Sequence, residues 1–432
     1  MKNSWLVKLE NGLLAVSLFS LPWQLRHIFK FAFAGSDNGY FEFGSWAIYA
    51  SSIAVVALLA AWLWRTRGRG MTSGPRAVSL ALLMWLVWMS LSVGWADDRV
   101  VALIAAARWW LMFGWYLYLI NEIKQWSQIA WPLAIGVVWQ AVWGIAQYAL
   151  NSSLGFPWLG ESVLRTDMPG VAVLIAENGA RHLRAYGMLP HANIFGGLMA
   201  MTLPILWCSY TQIKQNRRWV WMVFEVVIVV ALALSFSRGA WLAMALEAAI
   251  VLLVGWRMGY RQLIGQVWLG LGIAALVAMT QWPYLTNRFQ TDQPIERQSI
   301  TERAVGFEVW QGVVQAEPMR GVGINNYTQA LYWQDNTKPG WWYQPVHNIY
   351  LLMIGELGAV GLAIWLWLVA VIAWEFWRQR GWHALLFGLP FIAVSLIGLV
   401  DHWPITTQQG GLLLFLALAL TILPNKVSLG RA

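Results

Sequence analysis

Long apolar runs, separated by polar stretches of very unequal length, dominate this chain. They fall at about 11–30, 43–64, 77–95, 100–120, 129–150, 192–211, 219–236, 239–256, 263–282, 347–374, 384–400 and 409–423. Most approach the ~20 residues that carry an α-helix across the hydrocarbon core of a bilayer. In lipid such a helix satisfies its backbone polar groups within its own segment. The pattern therefore predicts an all-α fold, a polytopic membrane helical bundle of about twelve transmembrane helices with a long, partly helical outer loop. Its expected parts are N-terminal spans over 1–150, a first outer loop over 151–191, central spans over 192–282, a large outer loop over 283–346 and C-terminal spans over 347–432. Runs seven and eight part only at Ser235-Phe236-Ser237-Arg238-Gly239.

The polar stretches set the orientation. Arg65/Arg67/Arg69/Arg76, Lys214/Arg217/Arg218, Arg257/Arg261 and Arg378/Arg380 mark four loops as cytoplasmic by the positive-inside rule. An even number of alternating spans then puts both termini on the same side. Acidic residues collect in the two long segments opposite: Glu161, Asp167, Glu177, Asp292, Glu296, Glu302, Glu308, Glu317 and Asp335. A loop as long as 283–346 is a functional element rather than a connector. Inside it, Ser299-Ile300-Thr301-Glu302 fits a capping box that starts a helix. Arg303, Phe307, Trp310 and Val314 then share one helical face. Pro318 and the Gly321-Val322-Gly323 turn end that helix.

Composition agrees with this picture. The chain has 432 residues, 59% hydrophobic and only 11% charged, with mean hydropathy +0.53. Many of its 33 Trp lie near run ends, where amphipathic rings favour the membrane interface. The net charge of +9 is spread over short loops and is no nucleic-acid signal. One cysteine, Cys208, excludes an intramolecular disulfide. Lys2, Lys8 and Leu13 to Leu21 resemble a signal sequence, but Arg26, His27 and Lys30 follow closely, and the segment reads as an uncleaved first helix. There is no GxxxxGK[ST] loop, HExxH or CxxC, so nothing points to ATP, NAD or a structural metal.

The candidate chemistry lies at the outer ends of the runs. Arg303 turns toward an apolar face in the first turn of its expected helix, where the dipole favours an anion. A guanidinium fork suits phosphate oxygens; the other reading is a loop-fastening pair with Glu302 or Glu308. Arg238 lies in an apolar hairpin, where ionisable residues tend to be functional, unless it snorkels to the interface. His347 opens the tenth run, with Asn348 beside it and Tyr350 one turn on; a neutral imidazole accepts a proton from an attacking hydroxyl. Arg184, His191 and Asn193 form a second polar entry into a helix, with Asn193 as a contact or a cap. Asp401-His402 ends run eleven, as a partner-orienting pair or an interface marker. Arg108 sits near the middle of run four, in a buried ion pair with Glu225, Glu247 or Glu356 or against a lipid diphosphate.

Taken in order, Arg184-Ala185-Tyr186-Gly187 with Asn193, Ser237-Arg238-Gly239-Ala240, Arg303 with Trp310, Pro318-Met319-Arg320-Gly321-Val322-Gly323, and His347-Asn348-Ile349-Tyr350-Leu351 with Glu356, Gly358 and Gly361 resemble the O-antigen ligase and polymerase superfamily of bacterial membrane glycosyltransferases. The resemblance runs from about 184 to 361; the first 180 residues match only in being helical spans. It implies a GT-C-like enzyme of the cell envelope, in the inner membrane with its site facing the periplasm or outside. Such an enzyme moves a glycan from a polyprenyl (undecaprenyl) diphosphate carrier to an acceptor hydroxyl on a lipid or another glycan, without nucleotide, metal or other cofactor. Carried onto this chain, His347, Arg303 and Arg238 are the catalytic candidates. Arg184, Asn193, Asn348, Tyr350, Arg320 and Arg108 are the substrate-binding ones. Lipopolysaccharide ligation, polysaccharide polymerisation and protein O-oligosaccharide transfer all fit these motifs; ligation is the leading expectation. From another class, about twelve spans also suit a secondary transporter, whose polar sites lie near the midplane instead.

Overall fold

In the computed structural model, the described residues are 4–30, 32–34, 39–176, 179–289, 294–378 and 382–423. Glu177, Asp292 and Arg380, used above to orient the loops, lie outside them. The chain is mostly helical. It runs α1 (Ser4–Ser20), β1 (Arg26–Lys30), β2 (Phe33–Ala34), β3 (Gly39–Tyr40), β4 (Trp46–Tyr49), α2 (Ala50–Arg65), α3 (Arg76–Ser92), α4 (Arg99–Glu122) and α5 (Ser127–Leu150). It continues with β5 (Val173–Ile175), β6 (Arg181–Leu183), α6 (Ala192–Gln212), α7 (Arg218–Leu234), α8 (Arg238–Met258), α9 (Arg261–Thr280), α10 (Trp282–Phe289) and α11 (Pro294–Ala316). Last come α12 (Tyr327–Gln334), α13 (Ile349–Arg378), α14 (Trp382–Ile397), α15 (Trp403–Thr406) and α16 (Gln408–Ile422).

Among the described residues, six helices are long and apolar enough to cross a membrane: α4, α5, α6, α8, α9 and α13. Four shorter apolar helices accompany them, at Ala50–Arg65, Arg76–Ser92, Ala384–Ile397 and Gln408–Ile422. The first two predicted runs are too long. Residues 26–30 and 46–49, read as span, form the antiparallel pair β1–β4 with Arg26 opposite Tyr49. The reason is charge: Arg26 and Lys30 are costly in lipid. Instead Arg26 bonds Glu42 at 2.7 Å and the Lys30 ammonium stands 4.5 Å from the Trp46 ring centre. The membrane character and the helical class hold.

α6 is the axis of the packing. Its apolar window is 94% buried, and α14, α7, α8 and α5 surround it. Burial on all sides explains why this run shows no polar face. The long segments converge on one end of the bundle, here termed the loop end. Val322 N donates to Gly355 O and Gly323 N to Glu356 O, while Ala359 N donates to Pro318 O. The turn after α11 therefore lies backbone to backbone against a kink in α13. Gly358, at the kink, has φ +69°, and a Cβ there would stand 2.1 Å from Met319 O. At Gly321, with φ +67°, a Cβ would stand 2.4 Å from the Glu356 backbone. Only glycine fits both positions.

α11 begins at Pro294, so the expected helix start at Ser299 lies inside the helix. Arg303 falls in its third turn, where the dipole argument no longer applies. Its packed side is carried by Val313, which is buried, and by Trp310, whose Nε1 donates to Leu351 O at 2.7 Å. Arg303 and Phe307 are exposed rather than turned into the bundle.

Candidate active site at the loop end

The site is assembled around Asn193 at the start of α6. Its Oδ1 accepts from Arg184 Nη2 at 2.7 Å, and its Nδ2 donates to Asp401 Oδ2 at 3.1 Å. Asn193 is thus a bridge between a cation and an anion. The cap of α6 is His191, whose Nδ1 accepts from Asn193 N at 3.1 Å. Arg184, buried just past β6, also donates through Nε to Ser235 O at 2.6 Å, at the end of α7. One guanidinium therefore ties the first long segment to both α6 and the α7–α8 hairpin.

Asp401 follows α14. Its Oδ1 accepts from His402 N at 2.8 Å and lies 3.9 Å from His347 Nδ1, within ion-pair reach but beyond a hydrogen bond. The rings of His347 and His402 are 5.2 Å apart. His402 Nδ1 lies 2.8 Å from Thr406 Oγ1, and that hydroxyl donates back to His402 O at 3.2 Å. Burial raises the Asp401 carboxyl, yet the neighbouring His347, His402 and His191 hold it below the usual carboxylate range. Burial pushes His191 down to about 4, helped by the Arg184 charge. Burial likewise brings His402 down to about 3, against the pull of Asp401. At neutral pH the cluster thus holds an ionised Asp401 beside neutral His191 and His402.

His347 lies on the shared wall of two cavities. One, of about 670 Å³, is lined by Arg108, His191, Asn193, Asp401, His402 and Thr406, and by the exposed apolar Val56 and Ile104 of α2 and α4. The other, of about 600 Å³, is lined by Arg297, Arg303, Trp341 and Trp342, and by the exposed Val305, Phe307 and Leu399. Each cavity combines a cation with an apolar rim.

Cations gather near this wall. Burial, then the charges of Arg184, Arg238 and Arg303, push the Arg288 guanidinium of α10 down to about 9. Burial, partly offset by Tyr186 and reinforced by Arg238, brings Arg184 to about 10. Both stay charged at neutral pH. Arg288 escaped the sequence reading, since a lone arginine in a polar loop has no motif around it. Arg238 begins α8 and is half-buried, behind the cap Ser237.

Other candidates lie apart. Asn348 caps α13, its Oδ1 accepting from Tyr350 N and Leu351 N while its Nδ2 donates to Leu399 O. The Tyr350 hydroxyl donates to Ser395 O at 3.3 Å and joins α13 to α14. Arg320 is an exposed bidentate partner of Glu317. Of these, Asn348 lines the second cavity. Arg108 forms no ion pair among the described residues; its Nη1 donates to Thr406 O at 3.2 Å. Glu356 shares a narrow gap with it, whereas Glu225 accepts from Trp207 Nε1 and Glu247 is fully buried with neither carboxylate oxygen hydrogen-bonded.

These features define a helical membrane protein with a cationic, histidine-bearing site at one end of its bundle. Residues 223–366 match the O-antigen ligase family, which supports the resemblance to the O-antigen ligase superfamily of membrane glycosyltransferases. Arg238, Arg303, Arg320, His347, Asn348 and Tyr350 lie within the matched segment; Arg108, Arg184, Asn193, Asp401 and His402 lie outside it. No curated protein matches the chain.

Proposed function

We propose that this protein transfers a glycan from a polyprenyl (undecaprenyl) diphosphate to an acceptor hydroxyl, as an O-antigen ligase, at the outer face of the bacterial inner membrane. The observation that carries this reading is the position of His347 on the wall between two cavities, one bearing Arg303 and the other Arg108 and Asp401. Two lipid-borne reactants entering past the apolar rims meet at one imidazole. In this reading the Arg303 cavity takes the donor. As the sugar leaves, negative charge grows on the diphosphate, and Arg303, Arg238 and Arg288 stabilise it in place of a metal ion. The acceptor hydroxyl in the Asp401 cavity attacks the anomeric carbon and passes its proton to His347, whose positive charge Asp401 then stabilises. Arg184 and Asn193 are positioning residues that hold Asp401. The linkage is already activated, so no nucleotide or metal is required. Direct displacement inverts the anomeric centre. The basic loops of the opposite end then face the cytoplasm, with both termini.

The test is a panel of acceptors offered to purified protein in detergent with a polyprenyl-diphosphate oligosaccharide. Extension of a lipid core glycan supports ligation. Extension of the donor glycan itself makes the protein a polymerase, and modification of a Ser/Thr peptide makes it a protein O-oligosaccharyltransferase. A product with retained configuration contradicts direct displacement.

A further inference from the structure

His347, Asp401 and His402 present one ligand atom each, all within 4.8 Å of one another. We propose that these three side chains form a divalent transition-metal site, of the Zn²⁺, Ni²⁺ or Co²⁺ kind, and that its occupation inhibits the enzyme. The set is two imidazoles and one carboxylate, the donor chemistry such ions prefer.

Three observations support it. His347 Nδ1 is buried without a hydrogen-bond partner and faces Asp401 Oδ1 at 3.9 Å. Ligands at ~2.0–2.2 Å from a tetrahedral zinc lie roughly 3.3–3.5 Å apart, so a shift of a few tenths of an ångström brings this pair into range. Next, His402 has a partner on its other ring nitrogen: Nδ1 lies 2.8 Å from Thr406 Oγ1. In the tautomer with the proton on Nδ1, that hydroxyl oxygen accepts it. That leaves the lone pair on Nε2 and gives the ring the outer hydrogen bond that metal-ligating histidines keep. Finally, Asp401 is anchored from behind by Asn193 and by the His402 backbone, so the carboxylate is already placed. All three residues line the 670 Å³ cavity, which leaves the remaining coordination positions to water.

Metal binding stands on these side chains alone. Inhibition rests on the proposed role of His347, whose lone pair the metal would occupy. The experiment titrates Co²⁺ into purified protein lacking a polyhistidine tag and reads the visible absorption of bound cobalt, with Zn²⁺ as competitor. Wild type is expected to bind one ion, His402→Ala to lose the signal, and Thr406→Ala to weaken binding about tenfold through the lost outer hydrogen bond. Thr406→Ser, which keeps the hydroxyl, should bind as wild type does. Absence of a cobalt signal in wild type overturns the site, as does binding unchanged in folded His402→Ala and Thr406→Ala proteins. Zn²⁺ should also halt glycan transfer, with chelator restoring it. If cobalt binds at these residues and transfer continues with Zn²⁺ bound, the metal site stands and the inhibition claim, with its reading of His347, falls.

Discussion

His347 Nδ1 stands 3.9 Å from Asp401 Oδ1, although 54 positions separate the two residues in the chain. Asp401 is in turn joined through Asn193 to Arg184. The imidazole thus belongs to a relay that begins at a buried guanidinium two helices away.

Arg184→Lys should cripple the site while leaving the charge. A lysine ammonium lacks the fork that reaches Ser235 O and Asn193 Oδ1 together. Leaving one buried acceptor unpaired costs roughly 1–3 kcal/mol. A lower melting temperature in detergent, with a fall in transfer, is the expected result. Unchanged melting and turnover would remove Arg184 from the relay.

Arg303 and Arg320 should separate. Arg303 opens into a cavity with His347, whereas Arg320 is spent on Glu317 at the surface. Arg303→Ala is expected to lower turnover by about 10²–10³-fold, the usual effect of removing a group that stabilises transition-state charge. Arg320→Ala should cost little, since exposed ion pairs contribute about 0–1 kcal/mol. Turnover numbers at saturating donor decide between them.

Acid should destabilise the loop end before Asp401 titrates. His191 is held near 4 in the folded protein, while an unfolded histidine titrates near ~6.5. Between those values the unfolded chain binds the extra proton, so stability falls as pH drops from about 6.5 toward 4. His402, at about 3, adds to the same trend. Asp401, held below the usual carboxylate range, stays ionised through this window. His191→Asn keeps a competent helix cap and should flatten the fall in melting temperature. An equal slope in wild type and variant would contradict the assignment.

Gly358→Ala should fail to give folded protein, because the added Cβ meets Met319 O at 2.1 Å and φ is +69°. Gly306→Ala, in α11 with open space around it, is the matched control and should fold. Size-exclusion profiles in detergent read both. A monodisperse Gly358→Ala protein would mean that the turn need not seat against α13.

This kink marks how far the sequence could be read. The Gly321-Val322-Gly323 turn, Glu356 and Gly358 stand out in the chain as motif pieces, and their partnership is backbone to backbone, which no residue pattern announces. The apolar runs located the helices because lipid demands about 20 apolar residues per span. They overran at 26–30 and 46–49, where a hairpin carries its own apolar rings. His347, Arg238 and Asn193 were legible as polar residues at run ends, and Arg303 and Arg184 as cations in the two long segments. Asn348 and Tyr350 were legible too, but their hydrogen bonds serve α13 and α14. Asp401 was legible only as one of two readings, a partner-orienting acid or an interface marker, until the fold brings it to His347. Arg288 was silent for a similar reason: its neighbours Arg184, Arg238 and Arg303 come from three other elements.

The central claim is that His347 and Arg303 serve one transfer reaction. The direct measurement is release of polyprenyl diphosphate and extension of the acceptor by wild type, His347→Ala and Arg303→Ala, all shown to be folded. The account predicts transfer by wild type and a loss of about 10²–10⁴-fold when the proton acceptor is removed, with Arg303→Ala comparably impaired. Equal transfer by all three proteins would contradict it.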